Sequence, residues 1–163
     1  MLLPPEQMLE IALRLLAAVL IGGCIGIDRE IRHKPAGMRT HALVSLGAAL
    51  VMLIVVRTGP GAVEHVDAVS RAIQGIIAGV GFLGGGAILK SNERDIVHGL
   101  TTAASIWLVA SLGIACGVGQ WVAALIALAL ALLILVVGGP VEGLVRRIAG
   151  KRKPFPDDAA NDR

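Results

Sequence analysis

Apolar residues occupy the chain in long blocks, and short polar or glycine-rich stretches separate them. The blocks cover residues 6–27, 41–56, 71–89, 100–115 and 121–137, the last almost purely aliphatic. A hydrocarbon layer ~30 Å thick is crossed by about 20 helical residues rising ~1.5 Å each. Inside lipid every backbone amide must find a partner within its own segment, so such blocks form helices. The pattern predicts an all-α membrane protein, a bundle of about five transmembrane helices forming one domain over residues 1–150. The stretches 28–40, 57–70 and 90–98 read as connections, with turn chemistry at Gly59-Pro60-Gly61 and a short turn at Gly117-Val118-Gly119. Gly138-Gly139-Pro140 is expected to stop the fifth helix, ahead of a short interfacial helix at 141–148 that holds Arg146 and Arg147 at headgroups. Residues 151–163 read as a disordered tail.

Composition strengthens this picture. Hydrophobic residues make up 55% and charged residues 17%, where an ordinary soluble domain carries about 25% charge; a soluble enzyme is not expected. Aromatic residues are 2% with no Tyr, so helix contacts must rest on small residues, of which the 21 glycines are the obvious supply. The net charge of +3 comes from clusters flanking the apolar blocks, which suits topology and anionic lipid rather than nucleic acid. Arg29, Arg32, Lys34, Arg39, Lys90, Arg94 and the basic tail fall on one side, against Arg57 and Arg71 on the other. The positive-inside rule then places the C-terminus in the cytoplasm and the N-terminus in the periplasm of a bacterial inner membrane. Cys24 and Cys116 lie inside apolar blocks without metal-ligand spacing; Cys24 is expected to be a packed thiol rather than a lipidation site, and no cofactor or metal is implied.

A shift of 62 residues lays Gly22-Gly23 on Gly84-Gly85, Arg32 on Arg94, Gly37 on Gly99, Thr40 on Thr102 and Ala42 on Ala104. Helices one and two thus read either as a parallel repeat of helices three and four or as a chance match within apolar sequence.

Candidate chemistry is sparse. The third block carries Gly75, Gly79, Gly81, Gly84, Gly85 and Gly86, and the spacings Gly75/Gly79 and Gly81/Gly85 let two helix backbones approach in lipid, either within the chain or at a dimer seam. Arg14 lies well inside the first block, where a bare charge costs at least ~2.5 kcal/mol at mid-bilayer, and Glu10 one turn earlier is its expected partner. Asp67 and Arg71 repeat that spacing at the outer start of the third helix. The stretch Asp28, Arg29, Glu30, Arg32, Lys34, Gly37, Arg39 and Thr40 mixes both signs of charge around a Pro-Gly turn, which reads as solvated topology charge or as an ion-paired surface for docking a protein. Thr101, Thr102, Ser105 and Ser111 bring hydroxyls into the fourth helix, and Gln74 brings an amide into the third. His33, His41, His65 and His98 fall in loops or at helix ends on both sides, so no catalytic set is expected.

Four ordered motifs sharpen the reading: Gly22-x-x-x-Gly26-Ile27-Asp28-Arg29-Glu30, Lys34-Pro35-Ala36-Gly37-Met38-Arg39-Thr40-His41, Gly79-Val80-Gly81-Phe82-Leu83-Gly84-Gly85-Gly86 and Gly99-Leu100-Thr101-Thr102-Ala103-Ala104-Ser105-Ile106-Trp107. Over residues 14–119 the chain resembles the MgtC/SapB family of bacterial inner-membrane proteins. The resemblance implies five membrane helices, a link to growth at low magnesium and, in intracellular pathogens, to survival in macrophages. Members were first labelled magnesium transporters; for the founding member it implies instead a regulator that binds membrane partners, the proton-translocating ATP synthase among them. The family's acid-Arg-Glu motif falls on Asp28, Arg29 and Glu30, with Asp28 where Glu is usual, and its acid and Arg before the third helix fall on Asp67 and Arg71. Longer members append a soluble domain, and here the chain is expected to be a short form without it.

The favoured expectation is a regulatory, partner-binding membrane protein, not an enzyme, whose partners are the bilayer, other membrane proteins and a second copy of itself. The rival is a magnesium or other cation transporter in which Arg14, Asp67, Gln74 and Thr102 line a path. No carboxylate lies near the middle of any block, which counts against a monomeric pathway. A lipid- or phosphate-modifying enzyme would need clustered acids, which only Asp28 and Glu30 offer.

Overall fold

The computed structural model describes residues 4–58, 62–89 and 99–149, with the backbone alone described at 62–65, 89 and 146. The expected turn at Gly59-Pro60-Gly61, the polar connection 90–98 and the tail 151–163 lie outside these residues, as do the side chains of His65 and Arg146. Among the described residues five helices follow one another: α1 (Pro5–Ile31), α2 (Met38–Thr58), α3 (Ala62–Leu89), α4 (Leu100–Val118) and α5 (Trp121–Ile148). All five are long and apolar enough to cross a membrane.

The helices overrun the apolar blocks at their ends. α1 continues past Ile27 to Ile31, because Asp28 and Arg32 pair one turn apart at 2.9 Å and so support a helical turn that charge alone reads as loop. α1 then closes with a Schellman arrangement in which Lys34 N donates to Arg29 O at 3.0 Å and His33 N to Glu30 O at 2.9 Å. His33 takes the left-handed conformation that this cap requires, with φ of 53°. α2 begins at Met38, inside the stretch expected to be loop. α5 does not stop at Gly138-Gly139-Pro140 but runs through Pro140 to Ile148, so the separate interfacial helix is its continuation. Breaking a helix in lipid exposes several amides, whereas a proline within it removes one donor.

α1, α2 and α4 form the centre, with α3 laid on α4 and α2, and α5 on α4 and α1. Close approach in the centre is licensed by two glycine pairs at four-residue spacing, one on each neighbour of α2. A Cβ at Gly22 would lie 2.6 Å from His41 O, and one at Gly26 2.5 Å from Met38 Cα. From the other side, a Cβ at Gly113 would lie 2.9 Å from Ser45 C and one at Gly117 2.6 Å from Ala49 O. Small residues thus let α2 sit backbone-to-backbone between α1 and α4, the packing that lipid, lacking a hydrophobic drive between helices, rewards. Ala18, Ile25, Ala49, Val109 and Cys116 complete the buried seam.

The 62-residue shift has a structural counterpart. Gly22 faces the His41 carbonyl, and its equivalent Gly84 faces Ala103, the equivalent of His41, with a Cβ 3.5 Å from Ala103 Cβ. Gly26 packs on the Gly37–Met38 backbone, and at the equivalent place a Cβ added to Gly99, the equivalent of Gly37, would lie 3.4 Å from Cα of Ile88, the equivalent of Gly26. The two helix pairs therefore share a contact register. α5 turns Val122, Leu125, Ile126, Leu133 and Ile134 outward, as its uniform hydrophobicity requires of a lipid-facing helix. Cys24 also faces outward, correcting the expectation of a packed thiol: Ile21, Gly22, Ile25 and Gly26 take the inward face of that turn.

Candidate functional site

Where α1 ends and α2 and α4 begin, polar side chains are buried together. Arg29, 3% exposed, donates from Nη2 to Thr102 Oγ1 at 3.1 Å, tying α1 to α4. His41, fully buried, donates from Nδ1 to Gly37 O at 2.9 Å and places Nε2 3.0 Å from Ser105 Oγ. Ser105 Oγ also lies 2.8 Å from Thr102 O. Arg29, Thr102, Ser105 and His41 form one continuous polar chain across three helices.

Glu30 closes the connection from α1 to α2. Its Oε2 accepts from Met38 N at 2.9 Å, satisfying an amide at the start of α2 that has no acceptor within its own helix. The carboxylate also occupies the space that a Cβ on Gly37 would take, which explains the glycine there. Ala36, between the two, is buried.

Outside this network lies a cleft of about 780 Å³. Arg29, Arg32, His33 and Lys34 form its basic wall, Gly99 to Thr102 at the start of α4 its floor, and Ile134, Leu135, Gly138 and Gly139 of α5 its apolar wall, with Glu142 as the one acid among its described lining. Gly99 precedes α4 with φ of 88° and no side-chain cap, and residues of that first turn, Gly99 to Thr102, line the cleft.

The opposite end of the bundle is organised by Arg14. Its Nη1 donates to Gly117 O at 2.7 Å in the last turn of α4, and its Nη2 pairs with Glu10 one turn earlier on α1. Arg57 of α2 joins them, with Nη1 4.0 Å from Glu10 and Nη2 donating to Gln7 Oε1 at 2.8 Å. The Arg14 guanidinium also lies against Gly119, whose φ of 82° turns the chain from α4 into α5.

Against the residues singled out from sequence, the expected Glu10–Arg14 pair forms, while the 28–40 stretch divides. Arg29 is not a surface charge at all, whereas Lys34, Arg39 and Thr40 are exposed and Asp28 is held by Arg32. No ion pair joins Asp67 to Arg71 among the described residues; both are exposed. Gln74 donates to Ser70 Oγ at 3.3 Å on the outer face of α3. Arg14 and Thr102 stand at opposite ends of α4. Among the described residues, a Cβ at Gly75, Gly79, Gly81, Gly85 or Gly86 would meet nothing within 4 Å, so of the six glycines Gly84 alone is seen to make a helix contact there. The contacts expected of the α3 glycines are made instead by Gly22, Gly26, Gly113 and Gly117, whose own four-residue spacing was the signal. His41 escaped a functional reading because a lone histidine after a charged turn gives no hint that a hydroxyl 64 residues away will meet it. Among the described residues no three His, Cys, Asp or Glu side chains converge as a metal cage needs.

The chain matches the MgtC family over residues 15–144. It is 39% identical to protein SrpB of Synechococcus elongatus, over 98% of this chain and 96% of that one. It is 44% identical to protein MgtC of Salmonella typhimurium over 71% of this chain and 46% of that one. It is 40% identical to YhiD of Escherichia coli, a protein provisionally named a magnesium transporter, over 78% of this chain and 60% of that one. The match thus covers about half of MgtC and three fifths of YhiD, but nearly all of SrpB. No solved structure matches the chain.

Proposed function

The chain belongs to the MgtC family, and on that footing we propose that it is a regulatory, partner-binding protein of the bacterial inner membrane that acts in adaptation to low magnesium. In this reading the Arg29 end of the bundle faces the cytoplasm and the Arg14 end the periplasm, following the positive-inside rule. The protein is not an enzyme; it modulates other membrane proteins by helix contact, the proton-translocating ATP synthase being one candidate.

The observation that carries the reading is the uncovered glycine face of α3. A Cβ added at Gly75, Gly79, Gly81, Gly85 or Gly86 would meet nothing within 4 Å among the described residues outside its own helix backbone, and Phe82 beside them is 85% exposed. Glycines in a membrane helix cost helix propensity and return it only where another backbone comes close. Within this chain that return is taken by α1 and α4, so the α3 face suits a helix of another protein. Exposed Arg39 and Thr40 supply a polar rim near the start of α2.

The transport reading draws on the name given to YhiD. One pair of measurements separates the two. Gly79→Leu with Gly85→Leu is expected to abolish capture of membrane partners by the tagged chain and to impair growth at low magnesium, while proteoliposomes holding the wild-type chain alone take up no magnesium. Robust uptake by those vesicles, or unchanged capture and growth in the double variant, overturns the regulatory reading.

A further inference from the structure

We propose that the cleft between the ends of α1, α4 and α5 binds a phosphate-bearing anion. The first argument is the state of Arg29. It lines the cleft, is almost completely buried, and makes its one hydrogen bond among the described residues to a neutral hydroxyl. Its Nε is buried with no hydrogen-bond partner among the described residues. The adjacent carboxylate, Asp28, bonds Arg32 through Oδ1, and its Oδ2 is buried without a hydrogen-bond partner among the described residues, so it makes no bond to Arg29. A buried guanidinium without a bound acid is costly, and an oxyanion in the cleft supplies what the protein does not.

The second argument is the surrounding field. Arg32 and Lys34 stand exposed beside Arg29 on the same wall, against Glu142 as the one acid in the described lining. Guanidinium groups match phosphate oxygens in geometry as well as charge. The third is the floor. α4 begins there without a side-chain cap among the described residues, and a helix N-terminus presents both donors and a positive dipole to an anion.

The shared chemistry is a phosphate oxyanion, which a phospholipid headgroup and free phosphate both present. Ile134 and Leu135 on the facing wall add apolar surface along which an acyl chain could lie. This inference does not depend on the regulatory reading, since the cleft is built by α1, α4 and α5 and leaves the α3 face untouched.

The test uses the full chain in a neutral maltoside detergent, with phosphatidylglycerol, phosphatidylcholine of the same acyl chains, and inorganic phosphate as separate probes. Thermal unfolding and native mass spectrometry read binding. Phosphatidylglycerol or phosphate is expected to raise Tm and give a retained adduct, with phosphatidylcholine well behind. The double variant Arg32→Gln, Lys34→Gln should weaken that binding about tenfold, each protein's ligand-induced shift being read against its own ligand-free Tm because Arg32→Gln also releases Asp28. Glu142→Gln should tighten it, a gain that structural damage does not imitate. A response to phosphatidylglycerol alone identifies a lipid site; a response to inorganic phosphate identifies a soluble ligand. If phosphatidylcholine matches phosphatidylglycerol with phosphate silent, or if the double variant binds as the wild type does, the proposal is overturned.

Discussion

Arg29 Nη2 and Thr102 Oγ1 lie 3.1 Å apart across the α1–α4 boundary, so a charged side chain from the polar end of one helix is held inside the bundle by a hydroxyl from the next pair. Thr102 also lends its backbone carbonyl to Ser105, which makes it the hinge of the polar network. Removing the hydroxyl strands a buried guanidinium, at a cost of about 1–3 kcal/mol. Thr102→Val should therefore lower the unfolding midpoint in detergent markedly, while Thr101→Val, altering an exposed neighbour, should leave it nearly unchanged. Equal effects from the two would refute the role assigned to this bond.

Ser105→Ala tests the other end of the network. It leaves His41 Nε2 without its described partner and frees the Thr102 carbonyl from a side-chain bond. The expected loss is about 1 kcal/mol. His41→Leu in the Ser105→Ala background should cost less than the sum of the two single changes, as a double-mutant cycle on thermal unfolding can show.

The two classes of glycine should respond in opposite ways. Alanine at Gly113 or Gly117 drives a methyl into the backbone of α2 at Ser45 or Ala49, and overpacking of this kind costs about 1–3 kcal/mol. Alanine at Gly79 or Gly85 meets open space and should raise the stability of the isolated chain slightly, through helix propensity of up to ~1 kcal/mol. Thermal scans of the four variants separate the classes. A loss at Gly79 or Gly85 as large as that at Gly113 would mean that α3 packs differently.

At the other end, magnitudes decide which partner of Arg14 matters. Glu10 is half exposed, and surface pairs are worth ~0–1 kcal/mol. The bond to the Gly117 carbonyl is partly buried and satisfies an acceptor in the last turn of α4. Glu10→Gln should thus be mild and Arg14→Gln more damaging, by about 1–2 kcal/mol. Chemical denaturation of both in the same detergent measures the difference.

Much of this was legible in the residues. Block length and composition carried the helix count and the all-α class, because lipid admits few other structures. The Glu10–Arg14 pair was legible because i,i+4 neighbours meet on any helix. Other features were misread for local reasons. Asp28-Arg29-Glu30 looks like a loop by charge, yet Arg29 points inward and Glu30 caps α2. Gly138-Gly139-Pro140 looks like a stop by propensities measured in water, yet α5 continues through it. The run of glycines in the third block drew attention from the sparser pairs at Gly22/Gly26 and Gly113/Gly117.

By itself the amino-acid sequence determined that five helices span a membrane, roughly where each lies, and to which family the pattern belongs, since these follow from hydrophobic length, charge bias and motif order along the chain. The tertiary structure alone decided which glycines are contacts, that Arg29 and His41 are buried, and that α1, α4 and α5 enclose a basic cleft. Those properties depend on which face each helix turns to its neighbours, and rotation about a helix axis is settled by the joint packing of elements far apart in sequence.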